Sequence, residues 1–187
     1  MISKMDRWFP IHTERLLLRE LAPADEDDVH EYASDPQVSR LDRWGPNTLE
    51  ITRGVVEGWL EQQRQWPREE INLGVELRDQ HKLIGVITLR TEAYANRSAE
   101  FGFAFNRLYW NQGYATEAAR AVLDAAFRSL NMHRVCAGCD ARNIGSYRVM
   151  EKLGMRREGH LLQDVWQKGE WRDSYRYAVL DEEWMDK

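Results

Sequence analysis

The chain reads LYWNQGYATEAA over residues 108–119, and this stretch decides the fold. Before it, the alternating run EFGFAF at residues 100–105 predicts a β-strand. After it, apolar residues recur at helical spacing over residues 115–130 and predict an amphipathic helix. A short loop that contains Gly113 joins the two. The sequence therefore predicts a strand, a glycine-bearing turn and a helix N-terminus in direct succession.

Such a turn is typical of a phosphate site. The first turn of a helix presents free backbone N–H groups, and the positive end of the helix dipole lies at the same point. Gly113 allows the backbone to approach a ligand closely, and Ala115 adds little bulk. An ordinary strand-to-helix connection is the alternative, and one glycine alone does not exclude it.

Three motifs, in order, resemble the GNAT N-acetyltransferases, and in particular the RimJ/RimL branch, which acetylates protein N-termini. GYATEA at residues 113–118, after Tyr-Trp, resembles the acetyl-CoA pyrophosphate loop. TERLLLR at residues 13–19 resembles the first strand, and NIGS at 143–146 with EKLGM at 151–155 resembles the last helix and its turn. The similarity runs from about residue 11 to 184. Two positions depart from the family pattern: Trp110 stands where Arg or Gln is frequent, and Met150 where a general-acid tyrosine is frequent.

The resemblance implies one domain over residues 1–187 with a mixed α/β (α+β) fold. Its central sheet is expected to be mostly antiparallel, splayed between the fourth and fifth strands, with helices on both faces. Periodicity along the chain agrees with a mixed order of hairpins and helices. It predicts strands near residues 14–20, 71–77, 83–89, 100–105, 135–139, 159–167 and 174–180. A loop is predicted at residues 34–46. One further helix begins near Pro23, a second runs from a capping box at Asn47 and Glu50 to about residue 65, and a third runs from 143 to 154.

The resemblance also implies where acetyl-CoA, the expected co-substrate, is bound. The strand at Phe103, Ala104 and Phe105 diverges from the next one, so its free backbone groups pair with the pantetheine amides. Asn143 bonds the pantetheine arm and also suits a helix N-cap. The pyrophosphate is expected at Asn111, Gln112, Gly113, Tyr114, Ala115 and Thr116.

The resemblance also implies which two side chains carry the chemistry. Glu100 is the expected general base, and a solvent-facing acid at a strand edge is the alternative. Ser146, one turn before Met150, is expected near the thioester sulfur, where its hydroxyl stabilises the leaving thiolate, and Tyr147 is the second choice. Glu117 is expected to favour the helix dipole rather than to act in catalysis.

The free energy of deprotonation narrows the choice of acceptor amine. Neutralising an α-amino group at pH 7 costs about 1 kcal/mol, whereas a lysine amine costs about 4 to 5 kcal/mol. This favours an α-amine, and the RimJ/RimL resemblance implies that the α-amine belongs to a protein N-terminus; a small amine such as a polyamine, an amino acid or an aminoglycoside is the alternative. Trp44, Trp166 and Trp171 are expected to contact the acceptor. A non-catalytic CoA-binding module is the competing class, against which Glu100 and Ser146 argue.

Composition limits the partners. The net charge of −5 argues against general nucleic-acid binding, and 43% hydrophobic with 30% charged residues describes a globular domain. Without an apolar run of about 20 residues or a signal-peptide core, no membrane partner is expected and the predicted location is cytoplasmic. A homodimer is left open. No metal is expected, because the five histidines lack ligand spacing and Cys136 and Cys139 would point to opposite faces of a strand.

Overall fold

A computed structural model describes residues 8–65, 67–92 and 96–186. Its strands form one eight-stranded sheet in the order β1-β2-β3-β4-β5-β6-β8-β7. All neighbours are antiparallel except β5 and β6, which are parallel. The strands are β1 Ile11–His12, β2 Leu16–Glu20, β3 Glu70–Leu77, β4 Lys82–Glu92, β5 Ser98–Phe105, β6 Arg134–Asp140, β7 Arg156–Gln167 and β8 Glu170–Leu180.

The helices cover both faces of this sheet. On one face α4 and α5 pack over a core that includes Phe101 of β5 and Val135 of β6. On the other face α1 and α3 enclose a smaller cluster with Leu83 and Val86 of β4. The helices are α1 Glu26–Ala33, α2 Pro36–Ser39, α3 Leu49–Gln62, α4 Tyr114–Arg128, α5 Ile144–Lys152 and α6 Asp181–Met185.

The splay predicted for the sheet is confirmed. β5 and β6 pair only at Ser98–Arg134, Ala99–Val135 and Glu100–Cys136 within the described chain, and then separate. The separating strands are the fifth and sixth rather than the fourth and fifth, because the two-residue strand β1 adds one to the count. Two residues are too short to produce a periodic signal in the sequence.

Three local predictions need correction. The loop at residues 34–46 contains the short helix α2, which begins at Pro36 after Asp35 caps it by accepting a hydrogen bond from the Gln37 N–H. The cap of α3 is Thr48 and not Asn47, since the Thr48 hydroxyl accepts from the Ile51 N–H. The same helix ends at Gln62, three residues before the predicted end near 65. Cap choice between adjacent Asn and Thr depends on backbone angles that the sequence does not specify.

Candidate active site

The predicted phosphate turn lies at the N-terminus of α4. Gly113 is the N-cap residue with φ of 86°, a left-handed conformation that glycine adopts without strain. No side chain of the described residues caps this helix, so its first N–H groups remain available to an anion. Asn111, Gln112 and Gly113 are exposed, and Tyr114, Ala115 and Thr116 are half-buried. The turn is therefore accessible to a ligand.

Glu117 fixes this turn to the start of β2. It accepts hydrogen bonds from the Thr13 hydroxyl at 2.6 Å and from the backbone N–H and Nε of Arg15 at 2.9 and 2.7 Å. Arg15 also donates to the Gln112 carbonyl at 3.0 Å. Burial opposes ionisation of Glu117, but these donors outweigh it and lower its pKa. Glu117 thus positions the loop, a stronger role than the dipole effect expected from sequence.

The edge of β5 that faces the splay is the place for an added strand. Beyond Glu100 this edge has no partner strand in the described residues, so the backbone groups of Phe103 are available to an amide-containing ligand, whereas those of Ala104 face Val86 of β4. The Phe105 carbonyl is engaged, because the Trp110 indole N–H donates to it at 2.8 Å. Trp110, the departure from the family pattern, therefore anchors the loop to the end of β5.

Asn143 and Ser146 stand together at the start of α5. The Asn143 side-chain oxygen accepts from the Ser146 N–H at 3.1 Å, which confirms Asn143 as the N-cap. Burial raises the pKa of the Cys139 thiol to about 11, and hydrogen bonding with the Ser146 hydroxyl only partly offsets it. Met150 is fully buried in the core. Tyr147 packs edge-to-face on Tyr175 with ring centroids 5.7 Å apart.

A cavity of about 760 Å³ opens on the face of the sheet opposite α4 and α5. It reaches the splay at Gly102, Phe103 and Ala104 of β5 and at Gly138 of β6. Its other walls are aromatic and polar side chains from α1, the loop at residues 40–48, α3 and β4, including Tyr32, Asp42, Trp44, Asn47, Trp59, Thr88 and Arg90. A pocket of this size and lining suits a small molecule or one terminal residue of a peptide.

Glu100 lines this cavity where β5 and β6 begin to diverge. One of its carboxylate oxygens accepts from Arg176 Nη1 of β8 at 3.2 Å. The Glu100 side chain is 30% exposed and that of Arg176 47%, so the pair is accessible to solvent. Glu100 therefore differs from a free acid at a strand edge and from an isolated base, because it is paired with Arg176. The spacing of these two residues in the sequence did not predict the pair.

Trp44 lines the cavity as expected, but Trp166 and Trp171 do not. These two pack against each other on the β7–β8 hairpin, with centroids 5.4 Å apart, and both are largely exposed. Trp59 of α3 is the second cavity tryptophan. Sequence reasoning also missed Asp42, whose burial arises from contacts with elements far along the chain and leaves no local signal.

The described residues also bear on metal binding and on membrane insertion. Among residues 8–65, 67–92 and 96–186, no three His, Cys, Asp or Glu side chains are grouped so that they could hold a metal ion. Cys136 and Cys139 are not joined by a disulfide. None of the described helices is both long enough and apolar enough to cross a bilayer.

The fold and the turn at Gly113 match one family. The model of the acetyltransferase (GNAT) domain matches residues 15–156. The chain therefore belongs to the GNAT acetyltransferases, and it is an acyltransferase that uses acetyl-CoA to acetylate an amine. This agrees with the resemblance seen in the three sequence motifs.

Individual relatives cover nearly the whole chain. The "Uncharacterized N-acetyltransferase YnaD" of Bacillus subtilis (strain 168) is 41% identical over 93% of this chain and 98% of its own length. The crystal structure of an acetyltransferase (GNAT family) from Bacillus anthracis superimposes with a TM-score of 0.82, at 39% identity, covering 92% of this chain and 99% of that one.

Two more distant relatives are named for different acceptors. "Putative ribosomal N-acetyltransferase YdaF" of Bacillus subtilis (strain 168) is 27% identical over 91% of this chain and 94% of its own length. The spermidine N(1)-acetyltransferase of Vibrio cholerae is 28% identical over 58% of this chain and 62% of its own length. The acceptor of the present chain is thus not fixed by similarity.

Proposed function

We propose that this enzyme transfers acetyl from acetyl-CoA to an α-amine, with the N-terminus of a protein as the acceptor. The observation that carries the proposal is the 760 Å³ cavity, which meets the splay between β5 and β6 from the face opposite α4 and α5. An amine in this cavity would approach the thioester through the splay. Aromatic walls at Trp44 and Trp59 suit one apolar terminal side chain.

The acetyl-CoA site that we propose consists of the elements on the other side. The uncapped N–H groups of residues 111–116 would bind the pyrophosphate, and the open edge at residues 103–105 would pair with pantetheine. Asn143 would contact the same arm through its amide nitrogen, and Ser146 would hydrogen-bond the thiolate as it leaves. A backbone N–H of the open edge would stabilise the oxyanion. The location of Glu100 at the splay supports a role beside the amine.

A small amine remains the second candidate, and charge distinguishes the two. A polyamine carries several ammonium groups and needs several free carboxylates. Among the described residues two carboxylates line the cavity, Asp42 and Glu100, and Glu100 is already paired with Arg176. Arg90, also in the wall, is paired with Glu70 and would donate a guanidinium N–H to a peptide carbonyl. These features favour an α-amine over a polyamine.

The test is a panel of acceptors read by release of free CoA. Peptide amides with N-terminal Ala, Ser or Met are compared with spermidine, free alanine and an aminoglycoside. We expect the highest kcat/KM with one of the peptides. A blocked, N-acetylated peptide of the same sequence is the matched control and should release no CoA. Higher kcat/KM with spermidine than with every peptide would overturn the α-amine proposal, and failure of acetyl-CoA to bind in calorimetry would overturn the site.

A further inference from the structure

Asp42 is a second carboxylate in the wall of the acceptor cavity. It lies between α2 and α3, and its backbone N–H donates to the Ser39 carbonyl at 3.0 Å. The same cavity extends to Gly102, Phe103 and Gly138, where β5 and β6 separate. Asp42 therefore shares one cavity with the place where an amine would meet the thioester.

The Asp42 carboxylate is available to a substrate. Within the described part of the chain it accepts no hydrogen bond and forms no ion pair within 4.0 Å. The other acid of the cavity, Glu100, is bonded to Arg176. The cavity cation Arg90 is bonded to Glu70 at 2.6 Å. Of the charged groups in the wall, Asp42 alone keeps both oxygens for a ligand, as far as the described residues show.

Several charged groups face Asp42 from the neighbouring elements. Lys168, at the turn between β7 and β8, attracts the ionised form, and Asp140, at the end of β6, repels it. Asp140 is itself paired with Arg142 and Arg172. From its own loop, Arg40 and Arg43 are exposed to solvent.

Burial dominates these influences. Together with Asp140 it outweighs the attraction of Lys168 and raises the pKa of Asp42 from 3.8 to about 6. Asp42 in turn contributes to the raised pKa of the nearby Cys139 thiol, which stays neutral. A carboxylate with a pKa near the working pH is mostly ionised at pH 7 and still basic enough to take a proton.

Building on the proposed acetyl transfer, we infer that Asp42 is the general base, which accepts the proton of the acceptor ammonium, and that the Glu100 side chain pairs with the same ammonium. The Asp42 carboxylate takes one proton from R–NH₃⁺ and becomes a carboxylic acid. The freed nitrogen lone pair forms a bond to the thioester carbonyl carbon. The C–S bond then breaks, its electron pair leaves on sulfur, and a second nitrogen proton passes to that sulfur. The amide keeps the third proton, and Asp42 returns its own to water.

The assignment predicts the shape of the pH–rate profile. With ionised Asp42 as the proton acceptor, kcat/KM rises through the Asp42 ionisation near pH 6 and then levels off, because above the pKa of the amine near 8 the neutral amine needs no base. Asp42→Asn can use only the neutral amine. Its kcat/KM should be about 10-fold lower at pH 7, where about a tenth of an α-amine is neutral, and should rise through the pKa of the amine toward the wild-type value.

The experiment measures kcat/KM from pH 5 to 9.5 with the best acceptor of the peptide and amine panel, for the wild-type enzyme, Asp42→Asn, Glu100→Gln and Asp79→Asn. Glu100→Gln should raise the KM of the acceptor, and its kcat/KM should still rise with pH up to about pH 6 and level off above it; we call this rise the acidic limb. Asp79, exposed in the β3–β4 turn, is the matched control and should leave the profile unchanged. Calorimetry with acetyl-CoA checks that each variant is folded, and Asp42→Ser replaces Asp42→Asn if the latter does not bind.

Two outcomes overturn the inference. One is that kcat/KM of Asp42→Asn still rises with pH only up to about pH 6 and then levels off. The other is loss of the acidic limb in Glu100→Gln, which would make Glu100 the base. Either result leaves acetyl transfer by the wild-type enzyme intact, whereas absence of CoA release by the wild-type enzyme with every acceptor would overturn the proposed function itself.

Discussion

Asp42 and Glu100 are carboxylates in one cavity, and their surroundings separate their roles. The position of Glu100 on β5 was predictable, because its strand and the motifs beside it are visible in the sequence. Asp42 was not, because the groups that bury and polarise it come from β6 and from the β7–β8 turn. A loop aspartate has no local pattern that reports a tertiary environment.

The burial of Asp42 also has a thermodynamic consequence. Its folded-state pKa, about 6, lies above the value of 3.8 for a free side chain. Ionisation therefore costs the folded state free energy: the cost is absent below pH 4, grows between pH 4 and 6, and is complete above pH 6. Asp42→Asn should raise the free energy of unfolding by about 1 to 2 kcal/mol at pH 8, because the neutral amide avoids this cost.

Urea unfolding of the wild-type enzyme and of Asp42→Asn at pH 4 and pH 8 measures this effect. The difference between the two proteins should shrink to near zero at pH 4. Asp79→Asn, which changes an exposed carboxylate, should show no such pH dependence. An equal ΔΔG at both pH values would mean that Asp42 is not held in an ionisation-opposing environment.

Ser146 is the second residue for which we predict a role, and that role depends on its hydroxyl. Met150 is buried in the core and has no proton to donate, so the thiolate needs another partner. One hydrogen bond to a developing thiolate is worth about 1.5 to 3 kcal/mol. Ser146→Ala should therefore slow the chemical step by about 10- to 150-fold in single-turnover measurements, with the affinity for acetyl-CoA little changed. Tyr147→Phe, which keeps the packing on Tyr175, should cost much less, and the reverse order would make Tyr147 the donor.

At the scale of elements, the strand-turn-helix unit from β5 to α4 followed directly from sequence. Alternation in EFGFAF, Gly113 and the apolar face of α4 agree with one another, so one arrangement satisfies all three. Elements that depend on tertiary contacts were harder to predict. The strand β1 has two residues, and α2 has four, held by the Asp35 cap. Such segments bury too little to show periodicity.

The same unit supplies a test of the phosphate turn. Gly113 has a positive φ, and a Cβ at this position would come 3.4 Å from Arg15 Nη2. Gly113→Val should lower the affinity for acetyl-CoA at least 10-fold in calorimetry, because the branched side chain displaces the backbone N–H groups, and it should cost about 2 kcal/mol of stability. Gly54→Val in α3, where a Cβ meets no atom within 4 Å, is the matched control. Unchanged affinity in Gly113→Val would place the phosphate site elsewhere.

At the scale of the whole molecule, the acceptor cavity is assembled from both ends of the chain. The loop at residues 40–48 is held by the β7–β8 turn, where Lys168 Nζ donates to the Ser39 carbonyl at 2.7 Å and to the Trp44 carbonyl at 3.1 Å. Arg172 of β8 donates to the Arg40 carbonyl at 3.3 Å. The turn at Gly113, where we propose that acetyl-CoA binds, is held instead by Arg15 and Glu117. The two halves of the site are therefore fixed by separate long-range contacts.

Lys168 both holds the loop and lowers the pKa of Asp42 by its charge. Lys168→Met should consequently do two things. The KM of the acceptor should rise several-fold because the loop loses two anchors, and the acidic limb of kcat/KM should move to higher pH because a cation that favours ionised Asp42 is gone. Acetyl-CoA affinity should stay the same, since the Arg15–Glu117 contacts are untouched. Lys168→Arg keeps the positive charge, so its limb should stay near that of the wild-type enzyme even if its KM rises. A limb that moves to lower pH in Lys168→Met, or moves equally in both variants, would show that Lys168 does not act on Asp42 through its charge.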